Sequence, residues 1–299
     1  MARANFNLTQ IAEMASNDLL QAYKGTNFLL RGIDKMTLPK GVATKSFPKI
    51  TARAGETRVE GGALAAVGAR TTGEVTFSPA KEYLSRIAID RIGAGNSYYD
   101  IYAASKDTVM TEIIDAMSTY LWTVAAAANT YTVGVSGTVP DIDVLGDARA
   151  QMMTNKAWSS REWIAAVGIE EMNEWTASLT FDTDGSNVES KLAGKTARYG
   201  GFQIGEDQDR SGTSDTNAIN FCCHPAAIKA VFRNDYDYVA GVSDGVKVGS
   251  FMNAKLGFPV FVEMRQMNNS TGGVGEEMHI FTIADIKLLD AKLCCQLLG

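Results

Sequence analysis

The stretch from Ser97 to Ala128, SYYDIYAASKDTVMTEIIDAMSTYLWTVAAAA, contains neither proline nor glycine, and it limits what this chain can fold into more than any other feature. Tyr102, Val109, Ile113, Met117, Tyr120 and Val124 recur at gaps of seven, four and three, the spacing of one helical face. A helix over 97–128, rising ~1.5 Å per residue, is roughly 48 Å long. That is well beyond the usual ~10–14 residues. Asp107, Glu112 and Asp115 fall elsewhere on the wheel, although Lys106 interrupts the stripe near its start. Two architectures accommodate such an element. It is either a long core helix in an ordinary enzyme or a spine across which a flat subunit is laid out.

At 299 residues, with 45% hydrophobic and 21% charged side chains, the chain has ample material for a core and fits one large domain or two ordinary ones. Its net charge of −6 argues against a dedicated nucleic-acid binder, which would carry a basic surface. A protein that encloses nucleic acid without gripping it remains compatible with that charge. The opening MARANFNLTQ has no apolar core of signal-peptide type, and no run of about 18 apolar residues is present, so a soluble protein made inside a cell is expected. The cysteines form two adjacent pairs, Cys222-Cys223 and Cys294-Cys295, without the C-x-x-C spacing of zinc or redox sites. Neighbouring Cα atoms sit ~3.8 Å apart, closer than disulfide geometry prefers. Buried thiols acting as small hydrophobes are expected. With only His224 and His279 available, a histidine-rich metal site is not expected.

Ahead of the long helix, Asn5 to about Gly32 contains a short helix candidate with Thr9 as N-cap, then Leu19, Leu20, Tyr23 and Phe28-Leu29-Leu30. This apolar surface needs a cover, which is either the body of its own subunit or a neighbour. Val42–Thr51 and Gly73–Phe77 look extended. Between them, Ala52 to Thr72 almost lacks large core side chains, which suits a long hairpin projecting from the body, with a disordered loop or mobile lid as the alternatives. Pro48 and Pro79 mark the flanking strands as edge or irregular. Tyr83–Ile92 alternates as a strand and ends at Gly93-Ala94-Gly95-Asn96. A dinucleotide-binding turn is rejected there because Tyr98 occupies the place of the third glycine.

After the long helix, Tyr131–Val139 is strand-like. Pro140-Asp141 opens a helix over Ile142 to about Asn155, and Trp163–Val167 reads as a buried strand. Met172, Trp175 and Leu179 belong to a third helix, Phe181–Lys191 to a surface loop, and Gly200-Gly201 to a turn into another strand. Asn217–Cys223 reads as a strand, and His224-Pro225 starts a fourth helix running through Phe232, since proline suits a first helical turn. Phe258–Met264 and Met278–Ile283 are strands flanking a turn at Thr271-Gly272-Gly273, and the tail from Lys287 to Leu298 is apolar enough to be ordered.

The search for chemistry finds no catalytic, cofactor-binding or metal-binding residues to nominate. Gly134-Val135-Ser136-Gly137 lacks one spacer of the G-x-S-x-G elbow. Gly194-Lys195-Thr196 is not a phosphate loop, because Glu189 stands where the earlier glycine is required. Glu206, Asp207 and Asp209 beside Arg210 read as a solvated loop before they read as a cation site. His224 reads as a helix-start residue and His279 as a structural strand residue.

From Asp143 to Arg233 the pattern resembles a known family. Val144-Leu145 with Ala148-Arg149 and Met152, then Arg161-Glu162-Trp163-Ile164 entering a strand, then Arg198-Tyr199-Gly200-Gly201-Phe202-Gln203-Ile204, then Asn220-Phe221 and His224-Pro225-Ala226-Ala227, is similar to the tailed-phage major capsid proteins. The chain departs from that family at Ala157-Trp158-Ser159-Ser160, where Gly-x-Pro is usual, and at Gly205-Glu206, where Ser-Asn is often found. The resemblance implies an α+β Hong Kong 97-type capsid fold. Its parts would be an N-terminal arm (1–40), an extended hairpin arm (41–80), a peripheral domain (81–130 and 254–299) with the spine helix 97–128, and an axial domain (131–253). It further implies a non-enzymatic shell protein that self-assembles as hexamers and pentamers around the double-stranded DNA of a tailed phage, without sequence-specific DNA binding and without a membrane. It would be made in the host cytoplasm and reside in the virion capsid. A separate scaffolding protein, a portal and a decoration protein are the implied partners, and no cofactor is implied. Arg53, Glu56, Arg58 and Glu60 on the hairpin arm, with Phe28 and Leu29 near the N-terminus, are the candidate inter-subunit contacts. The lysine–asparagine cross-link of some members has no matching positions here. The alternatives are an encapsulin-type nanocompartment shell and a mixed-fold enzyme with 41–79 as its lid.

Overall fold

The computed structural model describes residues 8–50, 72–89, 98–135, 140–155, 157, 163–178, 197–207, 219–234, 247–268 and 274–298. In chain order the elements are α1 (Leu8–Thr26), α2 (Phe28–Gly32), β1 (Asp34–Thr37), β2 (Lys45–Ile50), β3 (Thr72–Phe77), β4 (Lys81–Ile89) and α3 (Tyr98–Ala127). Then come β5 (Thr132–Gly134), α4 (Val144–Thr154), β6 (Trp163–Val167), α5 (Ile169–Ser178), β7 (Ala197–Tyr199), β8 (Phe202–Glu206) and β9 (Ile219–Cys223). The chain closes with β10 (Ile228–Phe232), β11 (Lys247–Asn253), β12 (Phe258–Asn268), β13 (Val274–Leu288), a 3-10 turn at Ala291–Leu293 and β14 (Cys294–Leu298).

The spine helix forms where the periodicity predicts, as the 30-residue α3. Tyr102, Val109, Met110, Ile113, Ile114, Met117, Leu121, Trp122 and Ala125 are buried, a broad face that α1, β4 and β13 cover. Tyr120 and Val124 lie at its margin, and Asp107 and Glu112 stay exposed. Beneath α3 runs a six-stranded sheet in the order β1-β10-β13-β12-β11, with β4 paired along the edge of β13 opposite β12. Alternation along these strands sends Met278, Ile280 and Ile286 with Phe258, Val260 and Val262 into the core under the helices. On the opposite face Phe261 and Phe281 stack with ring centroids 5.4 Å apart, beside Ile283.

A second six-stranded sheet has the order β5-β14-β9-β6-β8-β7. Its β6, WIAAV, is buried throughout because both faces are covered, which is why it reads as a continuous apolar run. Trp163, Ala165 and Val167 face a core built with Leu145, Ala148 and Met152 of α4 and Trp175 of α5. Ile164 and Ala166 face the larger core shared with α2 and the end of α3. This sheet therefore separates two cores.

Several expectations are corrected. His224 to Phe232 is not a helix: Pro225 lies in a turn closed by Ala227 N–H donating to His224 O (2.8 Å), and β10 follows. Ile228, Val231 and Phe232 suit a pleated strand, and β10 is held between β1, in parallel, and β13, antiparallel. The first helix starts at Leu8 and runs 19 residues, so Thr9 lies inside it and is not its cap. The helix after Pro140 begins at Val144, because Asp141 and Ile142 form a preceding turn with Val144 N–H on Asp141 O. The expected strand at 131–139 is regular only over β5 among the described residues. Strand pairing also divides the chain differently from the expected domain boundaries. β10 and β11, placed in the axial segment, belong to the sheet under the spine helix, and β14, placed in the peripheral segment, lies inside the second sheet. Leu179, the loop 181–191, the corner at 93–96 and the turn at 271–273 lie outside the described residues.

Candidate functional site

The hairpin expected to project is present at its base. β2 and β3 pair antiparallel from Lys45↔Phe77 to Ile50↔Thr72, so Pro48 sits in a two-stranded ribbon where its missing N–H is tolerated. The base is pinned to the body. Phe77 is fully buried with Leu38 and Val231, and Phe47 meets it edge-on with centroids 5.4 Å apart. Lys229 Nζ lies 4.7 Å from the Phe47 ring centroid and Lys287 Nζ 5.7 Å from that of Phe77, both within cation–π reach. Lys287 also donates to Thr76 O (2.9 Å) and pairs with Asp285 (2.8 Å), whose other contact is the Ser78 N–H (2.9 Å). Lys45, Ser46, Pro48, Lys49, Gly73, Glu74 and Thr76 are nevertheless exposed, with Lys49 Nζ 3.8 Å from Asp290. The ribbon is thus tied to the body through Phe47, Lys49 and Phe77 and presents most of its remaining described residues to solvent.

Of the candidate contact residues, Arg53, Glu56, Arg58 and Glu60 lie outside the described residues. Phe28 and Leu29 lie inside the subunit's own core, at 7% and 0% exposure, and are not surfaces for a neighbour. The short α2 lies on β6 and β8, and the Phe28 ring packs directly on the backbone of Gly205, leaving no room for a Cβ there. Of the two covers open to this segment, the structure uses the subunit's own body.

The junction between the two sheets contains a residue that sequence reasoning placed in a solvated loop. Asp207, just past β8, is 1% exposed. Its Oδ2 accepts the Leu29 N–H of α2 (2.9 Å), its Oδ1 accepts the Trp122 Nε1–H of α3 (3.1 Å), and its own N–H donates to Val167 O (2.9 Å). One carboxylate therefore joins the N-terminal segment, the spine helix and the second sheet. Gln296 of β14 adds a second tie: its Nε2 donates to Ala126 O (2.8 Å) and to Ala125 O (3.0 Å), the latter also accepting the Ala128 N–H (3.1 Å), at the end of α3. Near the N-terminal end, Lys35 Nζ donates to Arg31 O (3.1 Å) and Ile33 O (3.2 Å) and lies over the Tyr23 ring. Burial pushes the Lys35 amine down to about 8, only partly offset by Asp34.

His224 Nδ1 accepts the Ala226 N–H (3.1 Å), and its ring meets that of Trp163, so it closes a turn in the core. His279 Nε2 lies 3.0 Å from Glu277 Oε2 on the sheet face that also carries the Glu263–Arg265 pair. Among the described residues no group of three or more His, Cys, Asp or Glu is placed to hold a metal, and no helix is long and apolar enough to cross a membrane. All four cysteines are buried free thiols.

Neither a family model nor a curated protein matches the sequence. Solved structures do. The capsid of cyanophage P-SCSP1u aligns over 89% of this chain and 86% of its own, with a TM-score of 0.58 at 13% identity. The fold is the Hong Kong 97-type capsid fold. The Mycobacterium phage Che8 structure aligns over 91% of each chain, with a TM-score of 0.57 at 12% identity. A virus-like particle from Pyrococcus furiosus covers 96% of this chain and 99% of its own, with a TM-score of 0.55 at 9% identity. In this fold α3 lies on β4 and β13, the β2–β3 ribbon is rooted against β10 and β13, and Asp207 and Gln296 sit where α3 meets the second sheet.

Proposed function

We propose that this chain is the major capsid protein of a tailed bacteriophage, assembling as hexamers and pentamers into the icosahedral shell around a double-stranded DNA genome. The observation that carries this reading is a capsid fold matched along about nine-tenths of the chain. A ribbon rooted in its own subunit and otherwise exposed is what a contact arm needs. In this reading residues 41–80 lie across a neighbour, and Arg53, Glu56, Arg58 and Glu60 form ion pairs between subunits. Each such pair is worth ~0–1 kcal/mol, and repetition around a closed shell makes their sum count. The peripheral unit takes the spine helix with β4 and β10 to β13, and the axial unit takes β5 to β9 with β14. The net charge of −6 suits a wall that must not trap packaged DNA. The protein is made in the host cytoplasm, works in the virion with a separate scaffolding protein, a portal and a decoration protein, and performs no catalysis.

Negative-stain electron microscopy of the purified protein, alone and co-expressed with the products of its neighbouring genes, tests this. Closed shells or sheets of regular rings are expected. The likeness to the Pyrococcus furiosus particle makes the nanocompartment the rival. Shells that carry a protein cargo and exclude nuclease-protected DNA would select it. A chain that stays monomeric in every co-expression overturns both shell readings.

A further inference from the structure

The four cysteines face one another in register across β9 and β14, with Cys223 opposite Cys294 and Cys222 opposite Cys295. Successive strand residues point to opposite faces. Accordingly Cys223 and Cys294 lie in the core shared with α3, and Cys222 and Cys295 lie in the core of α4 and α5. The sheet itself therefore keeps the four sulfurs from meeting at one metal ion, and the register leaves two separate facing pairs.

The hydrogen-bond pattern distinguishes them. His224 N–H donates to Leu293 O (2.8 Å), so His224 and Leu293 are a hydrogen-bonded pair of the β9–β14 ladder. Gln296 N–H donates to Tyr131 O (3.0 Å), away from β9. By alternation Cys223 and Cys294 form a non-hydrogen-bonded pair, and Cys222 and Cys295 a hydrogen-bonded one. Cα atoms are about 4.5 Å apart in the first kind and about 5.5 Å in the second, with side chains closer in the first. A disulfide needs Cβ atoms ~3.5–4.5 Å apart, and directly opposed residues come nearer to that in a non-hydrogen-bonded pair than in a hydrogen-bonded one. A thiol of each pair meets a backbone carbonyl, Cys222 donating to Cys295 O and Cys294 to Ala291 O, each at 3.4 Å, so the ladder geometry is what separates the pairs.

We propose that Cys223 and Cys294 are an intrasubunit disulfide site that closes when the folded protein meets a small-molecule disulfide, while Cys222 and Cys295 remain thiols. The Cys294 thiolate attacks one sulfur of the oxidant, forming a mixed disulfide and expelling one small thiolate. The Cys223 thiolate then attacks the Cys294 sulfur and expels the second. Two protein thiols lose two protons and two electrons, and the oxidant is reduced to two thiols. Burial pushes the Cys294 thiol up to about 12 and Cys223 also upward, so reaction passes through local opening of β14. This strand is five residues long, and its outer partner β5 pairs with it over only three. The bridge would tie the C-terminal strand to β9 around the whole excursion from β10 to β13.

The test incubates the full chain with oxidised glutathione, in buffer and in sub-denaturing urea. The oxidant is then quenched, free thiols are alkylated under denaturing conditions, and non-reduced peptides are mapped by mass spectrometry. The expected result is loss of two of the four alkylatable thiols, reached faster in urea and reversed by reductant. The double variant Cys222→Ala with Cys295→Ala keeps the bridge, and Cys223→Ala with Cys294→Ala loses it. Four free thiols under both conditions, glutathione adducts without an internal link, or a link confined to Cys222 and Cys295 would each overturn the proposal. None of these outcomes depends on shell assembly.

Discussion

Replacing Asp207 with alanine deletes the acceptor on which two buried donors from different elements converge. The Leu29 N–H and the Trp122 indole N–H lose their partner, in a place where Asp207 itself is 1% exposed. A buried donor left unsatisfied costs about 1–3 kcal/mol, and bonds to a charged acceptor sit in the upper part of that range. Two such losses come to about 3–5 kcal/mol. Relief from holding a carboxylate out of water offsets part of this, which leaves a net destabilisation of about 2–4 kcal/mol. At roughly 2–4 °C per kcal/mol for a large domain, Tm falls by about 5–15 °C. Asp207→Asn should cost less, because its carbonyl still serves one donor while its NH2 group confronts the other. Thermal and urea unfolding of unassembled subunits reads these changes through Trp fluorescence. Combining Asp207→Asn with Trp122→Phe closes a double-mutant cycle, with a coupling of at least about 0.5 kcal/mol expected for groups in direct contact. An Asp207→Ala protein within about 0.5 kcal/mol of wild type, the range of an ordinary surface substitution, would refute the reasoning, as would additive effects in the cycle.

Three further substitutions probe the same frame. Gln296→Leu should cost about 1–2 kcal/mol by removing the amide donor from Ala126 O and one of the two donors from Ala125 O, measured by urea unfolding. Gly205→Ala should cost about 1–3 kcal/mol because its Cβ meets the Phe28 ring, and adding Phe28→Leu should recover part of the loss in the same assay. Lys35 loses its proton near 8 in the folded chain and near 10.5 when unfolded, so wild-type stability rises with pH across that window. Lys35→Met should therefore raise Tm at neutral pH, on the order of 1–3 kcal/mol in stability, with the gain shrinking as pH climbs past 8. A gain that grows with pH would contradict the assignment.

The spine helix and the buried β6 were legible because local pattern determines them: one keeps helical spacing over 30 residues and the other is a short apolar run. β10 was not. Pro225-Ala226-Ala227 suits a helix start, and the strands that override it, β1 and β13, are distant in sequence. Asp207 was misplaced for a related reason. Glu206, Asp209 and Arg210 around it suggest solvent, and its burial comes from α2 and α3 arriving from elsewhere in the chain. Phe28 and Leu29 were recognisable as needing a cover, but which body supplies it depends on Gly205, whose bare backbone admits the ring. The pairing of β9 with β14 was equally invisible, since register between distant strands has no local signal. β2 and β3 match the extended pattern read on either side of 52–72, whereas the four candidate charges fall outside the described residues.

The placement of α1 bears on how the chain is made. This helix leaves the ribosome well before β11 and β12, the strands on which it packs. At ~5–20 residues per second, roughly ten to fifty seconds of synthesis separate the helix from the strands that cover it. During that interval Ile11, Ala15, Leu19 and Tyr23 form an uncovered apolar stripe on a nascent chain. The fold therefore closes over α1 only after β11 and β12 have been made, and the emerging helix is where a chaperone has both the time and the surface to act.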